Sequence, residues 1–242
     1  MLLSTNKDPM GQAMLDYMAG NKDGEILVHC DVADDDVIPV KLLFRKEADM
    51  SLLERKALSE CRGKILDIGA GSGCHSLQLV GKGLDVHAID ISPGAVEVMR
   101  QQGLKQVRQA NIFDVDNEQY DTLLLMMNGV GLVATLRGFE KFLKHAKRLL
   151  KPDGQILFDT SDIEYLYLEA DGSKMVDLAN VYYGQVTYQM EYKDIKGPKF
   201  GWLYLDYITL TDYCFKHGYD VQVVYDDDRF NYLVRLTLAK PL

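Results

Sequence analysis

Three glycines in one short turn are the first residues in this chain whose type and spacing could do chemistry. In the stretch Lys64 to Pro93, KILDIGAGSGCHSLQLVGKGLDVHAIDISP, an apolar strand runs into Gly69, Gly71 and Gly73, a helical segment follows, and a second strand ends at Asp90. Glycine adopts backbone dihedrals that a Cβ forbids and lets a ligand approach the main chain closely. A carboxylate at the tip of the next strand is placed to accept hydrogen bonds from two ribose hydroxyls. Together these residues point to a nucleoside-binding turn, with Asp90 as the ribose clamp. The dinucleotide pattern G-x-G-x-x-G would place its third glycine at position 74, where Cys74 stands, so the spacing departs from that of an NAD-dependent oxidoreductase. Taken singly, the turn could be a tight structural connection and Asp90 a cap for the helix beginning near Ser92.

The elements that must position these residues follow from the hydrophobic pattern. From residue 64, short apolar runs (KILDIGA, LDVHAIDI, KQVRQA, YDTLLLMM, GQILFDT) alternate with helical stretches, which predicts a parallel sheet with crossover helices. Ser92 with Pro93 opens one helix. Another runs through Phe139, Phe142, Leu143, Ala146, Leu149 and Leu150 and is closed by Lys151, Pro152 and Gly154. Upstream, Asp8 and Pro9 start a helix through Met10, Met14, Leu15 and Met18 that Gly20 ends. Residues 25–30 and 37–44 read as extended, and Leu52, Leu53, Leu58 and Cys61 mark a further helix. Most of the fourteen tyrosines and the one tryptophan, Trp202, lie in the last third. There two aromatic, β-branched segments around KGPK read as antiparallel strands, followed by a helix (LTDYCFKHGY) and the strands YDVQVVY and FNYLVRLTL.

With Asp67 two residues before the first glycine, the turn reads acid-x-G-x-G-x-G, and here the sequence resembles the class I S-adenosylmethionine-dependent methyltransferases. The resemblance continues through Asp90, which matches the family's ribose-binding acid, and through Leu150, Lys151, Pro152, Asp153 and Gly154, which echo the helix ending before the fifth strand. Gln155 replaces that motif's last glycine, and Asn111 stands where the family usually has an Asp beside the adenine amino group. The resemblance implies an α/β fold, a Rossmann-like seven-stranded methyltransferase sheet, mostly parallel with the last strand antiparallel, and S-adenosylmethionine as cofactor. It places Asp67, Gly69, Ala70, Gly71, Gly73, Asp90, Ile91, Asn111, Ile112, Phe113 and Asn128 around that donor. Arg45 would meet the donor's carboxylate if the N-terminal segment folds over the site. Its plainer reading is a surface charge.

Methyl transfer from a sulfonium needs positioning and exclusion of water more than any particular side chain, so the acceptor is read from absences. Methylases of exocyclic base amines carry Asp or Asn before Pro-Pro and an aromatic after the fourth strand. This chain has Asn128-Gly129-Val130-Gly131, and none of its four cysteines follows a proline as in the pyrimidine C5 type. A small-molecule acceptor is therefore expected, with Asn128, Asp162 and His75 as candidate catalytic residues and Asp159 beside them. Two carboxylates near a strand end, Asp159 and Asp162, read as caps, and no metal is expected. The tyrosine stripe of the insert reads as packing or a homodimer contact rather than an acceptor wall, and Asp34, Asp35 and Asp36 as a solvated loop.

The net charge of -9 argues against nucleic acid as a partner, and no apolar run of about 18 residues spans a bilayer. A cytoplasmic chain with reduced thiols at Cys30, Cys61, Cys74 and Cys214 follows. One domain is expected over 1–242: an N-terminal extension or lid (1–60), a donor-binding core (61–160), an aromatic β insert (161–210) and a C-terminal helix with a strand pair (211–242). The competing readings are a binding protein that holds the nucleoside without catalysis, an NAD-dependent oxidoreductase, and an aminopropyl transferase.

Overall fold

Seven strands form the central sheet of the computed structural model, which describes residues 1–168, 181–227 and 229–240. They are β3 (Lys64–Ile68), β4 (Asp85–Asp90), β5 (Val107–Gln109), β6 (Tyr120–Leu125), β7 (Leu150–Ser161), β11 (Tyr219–Asp226) and β12 (Asn231–Leu238). Their order is β11-β12-β7-β6-β3-β4-β5. The first five are parallel, and β12 runs antiparallel to both β7 and β11, as the resemblance implied. Because β3 and β6 are neighbours although other elements separate them in sequence, their C-terminal ends meet at the point where the strand order reverses. In such sheets that is where ligands bind.

Helices cover both faces for the reason their patterns predict. On one face α5 (Leu136–Leu149) buries Phe139, Phe142, Leu143 and Ala146 beside Leu210 and Cys214 of α6 (Tyr207–Lys216). Each fully buried phenylalanine contributes about 1.5–3 kcal/mol. On the other, α2 (Leu52–Glu60) and α3 (Cys74–Gly81) enclose Ile65, Val86 and Leu124. Thr135 caps α5 by accepting from the Gly138 amide, and the helix stops at Leu149 because Leu150 already belongs to β7. The last helix starts earlier than its pattern suggested, since Asp206 accepts from the Thr209 amide and caps it there.

The N-terminal segment and the insert are not independent decorations. They pair with each other: β1 (Glu25–Cys30) lies between β2 (Asp36–Pro39) and β8 (Gln185–Tyr192), and β10 (Phe200–Leu203) borders β8, with β9 (Ile195–Lys196) in the turn. The stretch read as extended over 37–44 is extended only to Pro39. Val40–Phe44 is a 3-10 turn that buries Val40 and Leu43. Residues 169–180 of the expected insert lie outside the described residues.

One buried carboxylate fixes this second sheet to the first. Asp8 caps α1 (Pro9–Met18) by accepting from the Gly11 amide (2.9 Å), and its other oxygen accepts from the Gly94 amide (3.0 Å) and the Ser92 hydroxyl (2.6 Å) at the start of α4 (Pro93–Gln101). A Cβ on Gly94 would stand 2.6 Å from the Gly11 backbone, so the two helices cross at contact distance. Among the described residues no helix is long and apolar enough to cross a membrane.

Candidate active site

All three glycines of the turn after β3 have left-handed backbones, with φ of +74° at Gly69, +57° at Gly71 and +84° at Gly73. Their surroundings differ. A Cβ on Gly73 would press within 2.8 Å of Leu104 and 2.9 Å of Met99, so this glycine seats α3 against the core. At Gly71 nothing lies within 4 Å of the same position, so the loop's surface there is open to a ligand.

Asp90 at the end of β4 holds that loop. Its Oδ2 accepts from the Gly71 amide (2.9 Å) and its Oδ1 from the Ser92 amide (2.8 Å), which leaves each oxygen a further lone pair. Helix α4 is capped by Ser92, whose Oγ accepts from the Ala95 amide, so capping does not account for Asp90. Burial outweighs the two amide bonds and pushes its pKa up to about 6. Beside it Ile91 leaves an apolar side chain 38% exposed. Asp67 sits under the loop, accepts from the Ser76 hydroxyl (2.6 Å) and is raised in pKa by burial. Asn111 turns its Oδ1 to the Phe113 amide (3.0 Å), so the acceptor oxygen expected near an adenine is engaged in its own local turn. Ile112 is buried in the main core, with Phe113 packed against it.

Between the glycine turn and the second sheet lies a cleft of about 620 Å³. Gly69, Ala70 and Gly71 form its floor with Met127 and Asn128, and Tyr188, Trp202 and Tyr204 stand in its wall. Tyr165, Tyr188 and Tyr204 thus form part of a cleft wall, which the sequence reading did not favour, whereas Tyr182 packs against the main core and Tyr192 is buried beneath the second sheet, as packing residues. Asp34 and Asp36, read as a solvated loop, also line the cleft. Asp90, Ile91, Asn111, Ile112 and Phe113 do not line it and continue the site along the ends of β4 and β5.

Met127 and Asn128 are consecutive non-glycine residues with positive φ, +64° and +53°. This strained turn persists because Asp159 on β7 accepts from the Asn128 amide (2.8 Å). The other Asp159 oxygen is buried with no hydrogen-bond partner among the described residues, and burial raises this group's pKa to about 6. The Ser161 hydroxyl stands between the side-chain amides of Asn128 (2.8 Å) and Asn231 (2.6 Å), a polar patch beside the floor.

Three of the expected site residues are engaged in other contacts than the sequence suggested. Arg45 is not a surface charge and does not line the cleft. Its guanidinium binds Glu54 through Nε (2.8 Å) and through a second nitrogen, and its remaining terminal nitrogen donates to the Leu42 carbonyl. His75 lines the cleft but is almost fully buried and gives Nε2 to the same Glu54 oxygen (2.8 Å). Burial would lower its pKa, but its contacts with Cys74 and Glu54 prevail and raise it to about 10, which favours the protonated ring bound to Glu54 over a free base. Burial would likewise raise Glu54, yet its bonds from His75, Arg45 and the Ser51 amide hold it well below the carboxylate range. Asp162 accepts from the Tyr183 hydroxyl (2.8 Å) and the Glu164 amide (2.9 Å), away from the cleft lining. Glu54, Ser161 and Asn231 were missed. Only Glu54 left a signal, the Ser51–Glu54 capping box, which announces a helix start and not a buried ion pair.

A family model described as a methyltransferase domain matches residues 60–208. The chain is 45% identical to a SAM-dependent methyltransferase from Bacteroides fragilis solved in complex with S-adenosyl-L-homocysteine, with a TM-score of 0.93 over 99% of this chain and 98% of that one. YqeM of Bacillus subtilis (strain 168), which carries a methyltransferase name, is 30% identical over 107 residues, 40% of this chain and 42% of the relative's length. The CcbJ methyltransferase from Streptomyces caelestis shares the fold at 14% identity, with a TM-score of 0.61 over 81% of this chain and 93% of that one. By its matched domain, its sheet order and its glycine turn, the chain belongs to the methyltransferase-domain family, as a class I S-adenosylmethionine-dependent methyltransferase.

Proposed function

We propose that this enzyme methylates a small-molecule acceptor held in the cleft between the glycine turn and the second sheet. The observation that carries this reading is the pairing of an open glycine turn, tied through the Gly71 amide to Asp90, with an aromatic-walled cleft of about 620 Å³ directly above it. A space that a Cβ at Gly71 would fill suits close approach of the donor to the backbone. The remaining lone pairs of Asp90 accept the ribose hydroxyls, and Ile91 offers its exposed apolar side chain to the base. Asn128, held in its turn by Asp159, borders the methionine end. When bound, the donor supplies an electrophilic methyl group. The chain's own part is to align the acceptor and exclude water.

No Lys or Arg is among the described residues that line the cleft, and the chain carries a net charge of -9. Both features disfavour a phosphate-rich acceptor and fit a cytoplasmic enzyme of small metabolites. Arg45 lies behind the turn and His75 at the cleft lining, and Glu54 binds both. The test is a metabolite mixture incubated with protein and S-adenosylmethionine, searched for species that gain the mass of one methyl group. A protein-dependent small methylated product is expected. Methylation confined to added nucleic acid or protein would overturn the reading.

A further inference from the structure

We infer that the acceptor is an amine, a cation-forming nucleophile with an apolar body, an inference that rests on the small-molecule reading above. Four acidic residues occupy the stretch from β1 to β2, and they divide by use. Asp31 accepts from the Thr187 amide (2.8 Å) and Asp35 pairs with His29 (2.8 Å), so these two secure the second sheet. Asp34 and Asp36 are the ones that line the cleft, and both are exposed at its mouth. They are its only exposed charges among the described lining residues. An anionic acceptor would meet repulsion at this mouth, where no exposed cation offsets it and the buried His75 ring is already held by Glu54, whereas an ammonium group meets two carboxylates.

The wall supplies the second, independent indication. Tyr188, Phe200, Trp202 and Tyr204 present aromatic surface to the cleft, the arrangement that attracts an organic cation through the ring quadrupoles. Tyr188 and Tyr204 bond to each other through their hydroxyls (3.0 Å), which fixes the rings in place. Burial raises the pKa of both phenols, and the His75 ring is raised in pKa and engaged by Glu54, so neither kind of group is well suited to activate an alcohol. An amine needs none in the transfer itself. The bound ammonium first gives one proton to water at the open mouth; the lone pair this frees forms the N–C bond as the donor's S–C bond breaks, the positive charge passes from sulfur to nitrogen, and S-adenosyl-L-homocysteine leaves as the neutral thioether. Carboxylates and aromatic faces favour the cation on both sides of that step.

The experiment holds the protein saturated with S-adenosyl-L-homocysteine, which carries no sulfonium, and titrates three probes of nearly equal shape: 2-phenylethylamine, 2-phenylethanol and phenylacetate. The amine is expected to bind at least tenfold tighter than phenylacetate and tighter than the alcohol. In the double variant Asp34→Asn with Asp36→Asn the preference over phenylacetate should fall to threefold or less; both positions are exposed, and the amide oxygen of Asn at 36 keeps an acceptor for the Val37 amide. Equal affinities, the reverse order, or no amine binding at all would overturn the inference. In parallel, label from methyl-labelled donor in a metabolite mixture should be retained on a cation exchanger, and label found only in neutral or anionic products would also overturn it. Amine preference without any methyl transfer would instead count against the proposed function and leave the charge class standing.

Discussion

The proposed donor side of the cleft and its proposed acceptor wall are built by opposite means. On the donor side, one continuous stretch from Asp67 to Phe113 supplies a turn of left-handed glycines, one clamping carboxylate and the ends of adjacent parallel strands. Recognition there uses backbone geometry, which only particular residue types permit. The wall draws on segments far apart in sequence, around Val28 and Ile38, Tyr188 to Tyr204, and Phe230 to Asn231, and recognition there uses side chains. A backbone site tolerates little substitution, whereas a side-chain wall can be altered ring by ring. On the proposed function, fixed chemistry belongs to one side and specificity to the other.

The largest expected effect lies beneath the turn, where the two sides share a support. Glu54→Gln leaves the Arg45 and His75 cations without their common anion, and breaking such a buried pair costs about 3–5 kcal/mol. In a chain of this size that lowers the melting temperature by about 6–20 °C, readable by calorimetric scan. An unchanged melting temperature would show that the pair supports neither side.

Gly71→Val should reduce donor affinity more than about a hundredfold, about 2.7 kcal/mol, while costing the fold about 1–3 kcal/mol from the positive φ. Titration of the folded variant with S-adenosyl-L-homocysteine decides it, and near-normal affinity would remove the turn from the donor side.

A pH effect comes next. A carboxylate must be ionised to accept both ribose hydroxyls, and Asp90 carries a pKa raised to about 6. Donor affinity should therefore be level above about pH 7 and fall as pH drops through 6, by up to about tenfold per unit. For the unliganded fold the sign is reversed. A raised folded-state pKa means that Asp90 and Asp159 stabilise the fold most below the ordinary carboxylate pKa, a contribution lost as pH rises through about 6. Binding isotherms for wild type and Asp90→Asn between pH 5 and 8 check this, with the variant expected to be flat across that range.

The smallest effect belongs to the wall. A Cβ on Gly131 would stand 2.0 Å from the Trp202 indole nitrogen, so Gly131→Ala must displace that ring. Trp202 is the one tryptophan of the chain, and its emission reports the change without interference. The spectrum should shift while donor affinity stays within about twofold. A large loss of donor binding would mean that wall and donor side are not separable.

What the sequence revealed divides along the same line. The spacing of Asp67, Gly69, Gly71, Gly73 and Asp90 was legible because left-handed backbone and strand-end placement are local requirements written in residue type. The caps at Asp8, Ser92 and Thr135 follow from equally local chemistry, the satisfaction of the first helical amides. The second sheet was not legible as one object, because β1 and β8 pair across most of the chain and strand pattern alone does not name a partner. For the same reason the tyrosines of the insert looked like an outer surface. Asp34, Asp35 and Asp36 are exposed, as a solvated loop requires, but nothing local tells the two that also border the cleft from Asp35, which pairs with His29. Arg45 and His75 were singled out without the Glu54 that joins them, since a capping-box glutamate gives no sign that its other oxygen is buried against two cations.

The central claim is that Asp90, not the acids after the fifth strand, holds the donor. Calorimetric titration of S-adenosyl-L-homocysteine into wild type, Asp90→Ala and Asp162→Ala tests it without any knowledge of the acceptor. Loss of two charge-assisted hydrogen bonds, each worth about 1.5–3 kcal/mol before water recovers part of it, predicts at least a tenfold weaker dissociation constant for Asp90→Ala. Asp162→Ala, whose carboxylate serves Tyr183 and the Glu164 amide, should match wild type within about twofold. Equal affinity for wild type and Asp90→Ala, or a larger loss in Asp162→Ala, would contradict the account.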